Sequence, residues 1–394
     1  MRNQQLKEQF LRNFGRDAQW IFSAPGRTEL SGNHTDHQRG CVLAAAVDLD
    51  SRAAVSKNDD NCIRVLSEGY PLCCVTLPVG EPDERQFGTT LSLIRGVAAA
   101  LVPMAKEVCG FDCYINSTVL PGSGLSSSAS FEVLMGVIMN ELWGCSCSAP
   151  KIAQIGQYAE NVYFGKPCGL MDQMASSVGN TVSIDFADPE NPVLIPLALD
   201  LSAFGYDLCI IDSGADHAGL TDLYASIPGE MKAVAKEFGL EVLRELPEEQ
   251  FYASLPRLRK AVGDRAILRS IHFYEENQRV LQQVEALQQG DFDRFLSLIK
   301  ASGSSSWRLL QNVIPENHNR MQELAFALTL AEKLLNGKGA VRVHGGGFAG
   351  TIQAFVPHCL LEEFRAGVEA VLGEGSCHVL SIRKEGGILM EECK

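Results

Sequence analysis

Four short stretches carry the residues best equipped for chemistry. The first reads GRTELSGNHTDHQRG, residues 26–40. It crowds Arg27, Glu29, Asn33, His34, Asp36 and His37 between the apolar segments WIFSA and CVLAAAV. Two strands joined by a long polar loop give that pattern. Loops on a rigid scaffold are where binding residues concentrate; a solvated surface loop is the plain alternative. The second stretch, LPGSGLSSSAS at 120–130, lies between a strand-like and a helix-like segment. Gly122 and Gly124 let the backbone turn tightly and approach a ligand. Ser126, Ser127 and Ser128 then open the helix, where unpaired N–H groups and the dipole favour an anion. Their hydroxyls can bond phosphate or ligate magnesium. No lysine follows the glycines, so this is not the GxxxxGK[ST] loop, and a serine-capped helix after a glycine turn is the structural alternative.

The third stretch is a pair of carboxylates. Glu160 ends a helical segment, and twelve residues on Asp172 stands among Leu170, Met171 and Met174. A carboxylate in an apolar setting needs a partner or a task. It is either a general base or a helix residue satisfied by backbone donors. The fourth, VHGGGFAGTIQAFVP at 343–357, sets Gly345, Gly346, Gly347 and Gly350 in a strand–turn–strand context. So many glycines are entropically costly; close backbone approach to a ligand or another loop would justify them.

The elements that must position these groups fill 394 residues, beyond the usual single-core size, so two domains are expected. A 46% hydrophobic and 21% charged composition is that of an ordinary globular protein. The net charge of −14 argues against nonspecific nucleic-acid binding and against an acidic membrane surface. Thirteen cysteines at irregular spacing suggest reduced thiols and a cytoplasmic location. The first twenty residues lack the apolar core of a signal peptide, and no run approaches a membrane span.

Patterning predicts a helix at 1–16, strands at 20–24, 41–47, 52–57, 62–66 and 71–77, a helix at 88–103 and a strand at 111–119. A helix follows the serine loop, with further helices at 150–164 and 169–178 and strands at 181–186 and 206–212. Residues 222–335 are dominated by helical patterns. The remainder reads strand (339–343), strand (351–356), helix (359–372), strand (376–383) and strand (386–390). A domain boundary is expected near 188–203, giving an N-terminal domain at 1–195 and a C-terminal one at 196–394.

Taken together and in this order, the four segments resemble the galactokinase branch of the GHMP small-molecule kinases, over nearly the whole chain. The resemblance implies a two-domain α/β (α+β) fold. A ribosomal-S5-like N-terminal domain and a ferredoxin-like C-terminal domain would flank the active-site cleft. It implies an ATP-dependent sugar 1-kinase that uses magnesium, with galactose as the first expectation. By the same resemblance Asp172 is the general base for the C1 hydroxyl, and Arg27 pairs with it and with the transferring phosphoryl group. Residues 122–128, Gly122, Ser123, Gly124, Leu125, Ser126, Ser127 and Ser128, form the ATP-phosphate loop. Ser128 and Glu160 are the magnesium ligands. His34, Asp36, Tyr224 and Gly346 lie at the sugar, and Ser67 is a candidate for the adenine pocket.

The departures from the family pattern lie at the sugar end. Asn33 stands where the family carries a glutamate that binds the C6 hydroxyl, and His37–Gln38 replaces Tyr-Asn. After Tyr224 the chain reads Ala-Ser-Ile-Pro-Gly where typical members have arginines. Galacturonate-specific relatives also lack the glutamate and read Asp-His-Gln, so a galacturonokinase, with Asn33 facing a C6 carboxylate, is the alternative within enzymes. A sugar sensor acting through a protein partner is the alternative of another class. The intact Asp172, Arg27, Glu160 and serine loop favour the enzyme.

Overall fold

In chain order the first half comprises α1 (Arg2–Phe14), β1 (Trp20–Ser31), β2 (Cys41–Lys57), β3 (Cys62–Ser67), β4 (Cys73–Thr76), α2 (Thr90–Leu101), β5 (Phe111–Ser117), α3 (Ser127–Trp143), α4 (Ala149–Tyr158), α5 (Met171–Val178), β6 (Thr181–Asp185) and β7 (Val193–Leu197). The second half adds β8 (Tyr206–Ala215), α6 (Thr221–Lys236), α7 (Glu248–Ala253), α8 (Leu255–Ala261), α9 (Asp264–Gln289), α10 (Phe292–Ser305), α11 (Glu323–Leu335), β9 (Ala340–Val343), β10 (Gly350–Pro357), α12 (Leu361–Leu372), β11 (Cys377–Leu380) and β12 (Ile388–Glu392). This computed structural model describes residues 2–119, 124–216, 219–316 and 320–393.

The first sheet runs β12-β1-β2-β5-β3-β4, with β6 and β7 continuing from the other end of β2. Only β3 and β5 pair in parallel. Packing of α2, α3 and α4 on one face buries Phe22, Val55, Ile94, Phe111, Ile138 and Trp143 in one cluster. The second sheet is antiparallel, in the order β11-β8-β10-β9. One face is covered by α11 and α12 through Leu324, Leu328, Phe364 and Val368. The other carries Leu208, Ile210 and Phe355 into a core shared with Val280, Phe295 and Ile299 of α9 and α10 and with Leu43 and Val47 of β2. The two halves are therefore joined by an apolar core.

Three differences from the sequence reading have physical causes. Strand β1 runs on to Ser31, buried at every position after the first, because Thr28, Glu29 and Ser31 find partners inside the protein. The loop of the first motif thereby shrinks to 32–40. The strands expected at 41–47 and 52–57 are one strand of 17 residues. The intervening Asp50 is buried yet paired with Arg2, Arg52 and Arg383. The expected division at 195/196 falls within β7, which pairs with β6, and β12 returns to pair with β1.

Candidate functional site

Arg27 lies mid-strand in β1, and its backbone N–H donates to Leu125 O at 3.0 Å, tying the strand to the serine loop. Its guanidinium grips Asp172 in a fork, Nε to Oδ1 at 2.7 Å and Nη2 to Oδ2 at 2.6 Å. Nη1 donates to Gly124 O. Bidentate pairing of this kind fixes the plane of a carboxylate. Ser126 Oγ donates to the same Oδ2 at 2.5 Å. Asp172 lies in the first turn of α5, where the dipole favours a negative charge. Burial alone would raise its pKa; the Arg27 charge and hydrogen bonds, with Ser126 and Lys166, hold it below the ordinary aspartate value. The side chain remains 30% exposed, so the ionised carboxylate is both fixed and reachable.

The serine loop is pressed against the second sheet. A Cβ on Gly124 would come within 2.8 Å of Thr351 Oγ1 and 3.0 Å of His344 Nδ1. His344, just after β9, bridges β1 and β10, bonding Thr28 Oγ1 at 3.1 Å and Thr351 Oγ1 at 3.0 Å. Burial and the nearby Arg27 push its pKa well below normal, so it is a neutral spacer. Ser126 holds a left-handed φ of +58°, a strained state for a residue with a Cβ. That conformation turns the chain into α3, whose first turn carries Ser127 and Ser128.

One turn after Ser128 on the same face of α3 stands Glu132, fully buried. Gln173, beside Asp172, donates through Nε2 to Glu132 Oε2 and to Glu160 Oε2, both at 2.9 Å. Glu160 sits on a π-helical turn, 159–164, that continues α4; such turns recur at functional sites. Burial and the neighbouring Glu160 push the Glu132 pKa well upward. Its Oε1 is a buried acceptor with no partner among the described residues. Among the described residues no three His, Cys, Asp or Glu side chains form a cage for a cation. A magnesium ion, which keeps its waters and takes phosphate oxygens, suits the sparser set of Ser128 and Glu160.

At the other end of the cleft the first motif meets the glycine turn. His34, at a φ of +59°, contacts Gly346 O through Nε2 at 3.0 Å. A carbonyl only accepts, so Nε2 carries the proton and Nδ1 the lone pair. That Nδ1 is buried without a partner among the described residues. Burial and His37 lower the His34 pKa to about 3. Asp36 accepts from His37 N at 2.9 Å through Oδ1, and its Oδ2 lies 1.8 Å from where a Cβ on Gly169 would stand. Tyr224 lies across Gly346, 2.8 Å from the position of a Cβ there, and donates to Gly347 O at 2.8 Å. Burial raises its pKa to about 12.

The chain matches two families: GHMP kinases N terminal domain over residues 92–180, and the Galactokinase galactose-binding signature over residues 8–57. It is 33% identical over 370 residues to a galactokinase of Actinobacillus pleuropneumoniae serotype 3, covering 93% of this chain and 92% of that one. The chain belongs to the galactokinase family of GHMP kinases. A galactokinase of Streptomyces coelicolor is 31% identical over 92% of this chain and 89% of its own. Lactococcus lactis galactokinase, solved in complex with galactose, superposes with a TM-score of 0.84 at 27% identity, covering 99% of this chain and all of that one. A mevalonate kinase with a TM-score of 0.64 and 15% identity shares the fold.

For this galactokinase-family chain the structure brings Arg27, Asp172, Gly124, Leu125 and Ser126 together, and gathers His34, Tyr224 and Gly346 at the glycine turn. Gly122 and Ser123 lie outside the described residues. Ser67 ends β3, which runs parallel to β5, so it stands at the end of the sheet from which the serine loop departs. Asn33 is 1% exposed, and protein groups engage both sides of its amide. Nδ2 donates to Gly345 O at 2.7 Å and to Glu29 Oε1 at 3.1 Å; Oδ1 accepts from Asn312 at 2.8 Å and Ser306 at 3.2 Å. It pins the loop of the first motif to the glycine turn. The carboxylate near this point belongs to Glu29, paired with the fully buried Arg342 at 2.6 Å.

Sequence reasoning missed Glu132, Gln173, Arg342 and Asn312, and also the α9 residues under the loop. There His272 bonds Asn33 O at 2.9 Å, Glu276 accepts from Gly32 N at 3.0 Å, and Asn277 accepts from Cys41 N at 2.7 Å. The pair His272 and Glu276, spaced four apart on one helix face, was the available signal.

Proposed function

We propose that the protein transfers the terminal phosphoryl group of ATP to the C1 hydroxyl of galactose. The reading rests above all on Asp172, ionised, clamped in the plane of the Arg27 fork and still reachable. Asp172 accepts the C1 proton as the O1–P bond forms and the bond from phosphorus to the bridging oxygen of ADP breaks. Phosphoryl transfer needs positioning and charge neutralisation more than covalent help. The serine loop and the N-terminus of α3 receive phosphates, and Ser67 lies toward the adenine. Magnesium, held by Ser128 and Glu160, would neutralise charge on the phosphate oxygens.

At the sugar, the unpartnered Nδ1 of His34 accepts from one hydroxyl and Asp36 from others, with Tyr224 and Gly346 as the wall. Because the Asn33 amide is engaged by Glu29 and Gly345, it offers no anchor for a C6 carboxylate. Galactose is therefore favoured over galacturonate. No described helix is long and apolar enough to cross a membrane, and all thirteen cysteines are free thiols; both fit action in the cytoplasm. ADP release on a panel of free sugars tests the reading. Turnover with galactose and not with galacturonate is expected; turnover with neither would refute it.

A further inference from the structure

Lys166 is the cation beside the carboxylate cluster, and the proposed reaction gives it no task. Its placement is built. The π-helical turn that carries Glu160 ends at Gly165, whose φ of +79° bends the chain back; a Cβ there would strike the Phe87 ring at 2.2 Å. Lys166 N then donates to Glu160 O at 3.1 Å, and Nζ lies 3.1 Å from Glu160 Oε1. The ammonium acts electrostatically on Glu132 and Asp172 as well. The lysine is 63% exposed while Glu160 is only 4% exposed. A flexible, solvated cation thus stands at the mouth of a buried acidic cluster.

Charge balance says what it is for. A triphosphate arriving here meets the carboxyl groups of Glu160 and Asp172. The Arg27 fork is committed to Asp172 and to Gly124 O. The serine loop carries no lysine of its own. The Lys166 end of the pair is open to solvent, so its ammonium is free to change partner. Against a phosphate in a closing cleft the same ammonium gains a charge-assisted bond.

We propose that Lys166 is a phosphate ligand: its ammonium screens Glu160 and moves onto the phosphate oxygens as the nucleotide enters. Lysine suits the task because its charge is compact and its stem flexible. The magnesium ion would then inherit the Glu160 oxygen that the ammonium leaves. This inference rests on the kinase reading above.

The test compares the parent with Lys166→Met and Lys166→Arg, by calorimetric binding of ATP in EDTA and by steady-state kinetics with magnesium. Lys166→Met leaves the buried Glu160 without its cation and should lower the thermal midpoint, whereas Lys166→Arg keeps the charge, so binding is measured well below the midpoint of each variant. In EDTA, Lys166→Met should bind ATP about tenfold more weakly, the low end for one hydrogen bond to a charged group. Lys166→Arg should retain most of the affinity. With magnesium, kcat/KM for ATP should fall in Lys166→Met while the KM for sugar stays unchanged. Equal ATP affinity in EDTA for parent and Lys166→Met would overturn the proposal. Failure of the parent itself to bind ATP under either condition would instead overturn the kinase reading.

Discussion

Replacing Asn33 with aspartate tests the buried network that holds the sugar loop. The side chain keeps its shape and its acceptor oxygen, and only the two donors are lost. One donated to Gly345 O at 2.7 Å and the other to Glu29 Oε1 at 3.1 Å. Each buried acceptor left unpaired costs about 1–3 kcal/mol. A carboxylate oxygen now faces Glu29 at the same 3.1 Å, a repulsion of about 5 kcal/mol at an effective dielectric of about 20. The new carboxyl escapes by staying protonated, so its folded pKa is raised. Below about pH 4 it is protonated in both states and the charge penalty vanishes. Above that the folded state binds the extra proton, and the penalty grows by about 1.4 kcal/mol per pH unit up to the folded pKa. Asn33→Asp should therefore be destabilised throughout, and its stability deficit should widen by roughly 2.7 kcal/mol between pH 5 and pH 7. Denaturant unfolding of parent and variant at both pH values measures this, with KM for galactose as the functional readout. A deficit that is the same at both pH values, or no deficit, would refute the buried network. It would return Asn33 to the sugar.

The remaining predictions concern the site directly. Asp172→Asn should bind ATP and galactose but lose roughly 10²–10⁴-fold in kcat, the usual cost of a missing general base; near-normal kcat in folded protein would sink the assignment. Arg27 holds the Asp172 pKa below its ordinary value of 3.8, so deprotonation of this base should not limit the rate at pH 5–6; an acid limb at pH 5–6 that Asp172→Asn abolishes would contradict the Arg27 clamp. Glu160→Gln and Ser128→Ala should raise the magnesium concentration needed for half-maximal turnover with little change in the KM for sugar, because a hard cation loses one of few oxygen ligands; unchanged metal titrations would place the ion elsewhere. Gly169→Ala has no φ barrier, but its methyl would occupy the place of Asp36 Oδ2, 1.8 Å away. The KM for galactose should rise about tenfold with the KM for ATP unaltered, on the scale of one lost hydrogen bond, and parallel changes in both constants would mean general distortion.

Much of this was readable from the chain because phosphoryl-transfer residues announce themselves locally. The glycine–serine run before a helix and the aspartate among Leu170, Met171 and Met174 need no partner in view. The two strands of the glycine turn were legible from alternation. What failed were polar residues whose reason for being polar lies far away in sequence. Thr28, Glu29 and Ser31 looked like loop and are strand, because His344, Arg342 and Glu276 wait for them across the core. Asn33 looked like a ligand-facing group for the same reason, since Asn312 and Gly345 are 279 and 312 residues away. Strand β7 was missed because Pro196 interrupts it, which an edge strand tolerates.

The pairing of β12 with β1 has a consequence for how the chain is made. Trp20 pairs with Glu392, so one flank of the first sheet stays open until residues 388–392 have been made and have folded back. Arg383, just upstream, also supplies one of the charges over buried Asp50. Strand β1, which carries Arg27, is thus made long before the strand that closes its edge. A nascent chain must carry an unpaired apolar edge through most of its synthesis, a state prone to mispairing. Closure of that edge by β12, rather than formation of any local helix, completes the first sheet.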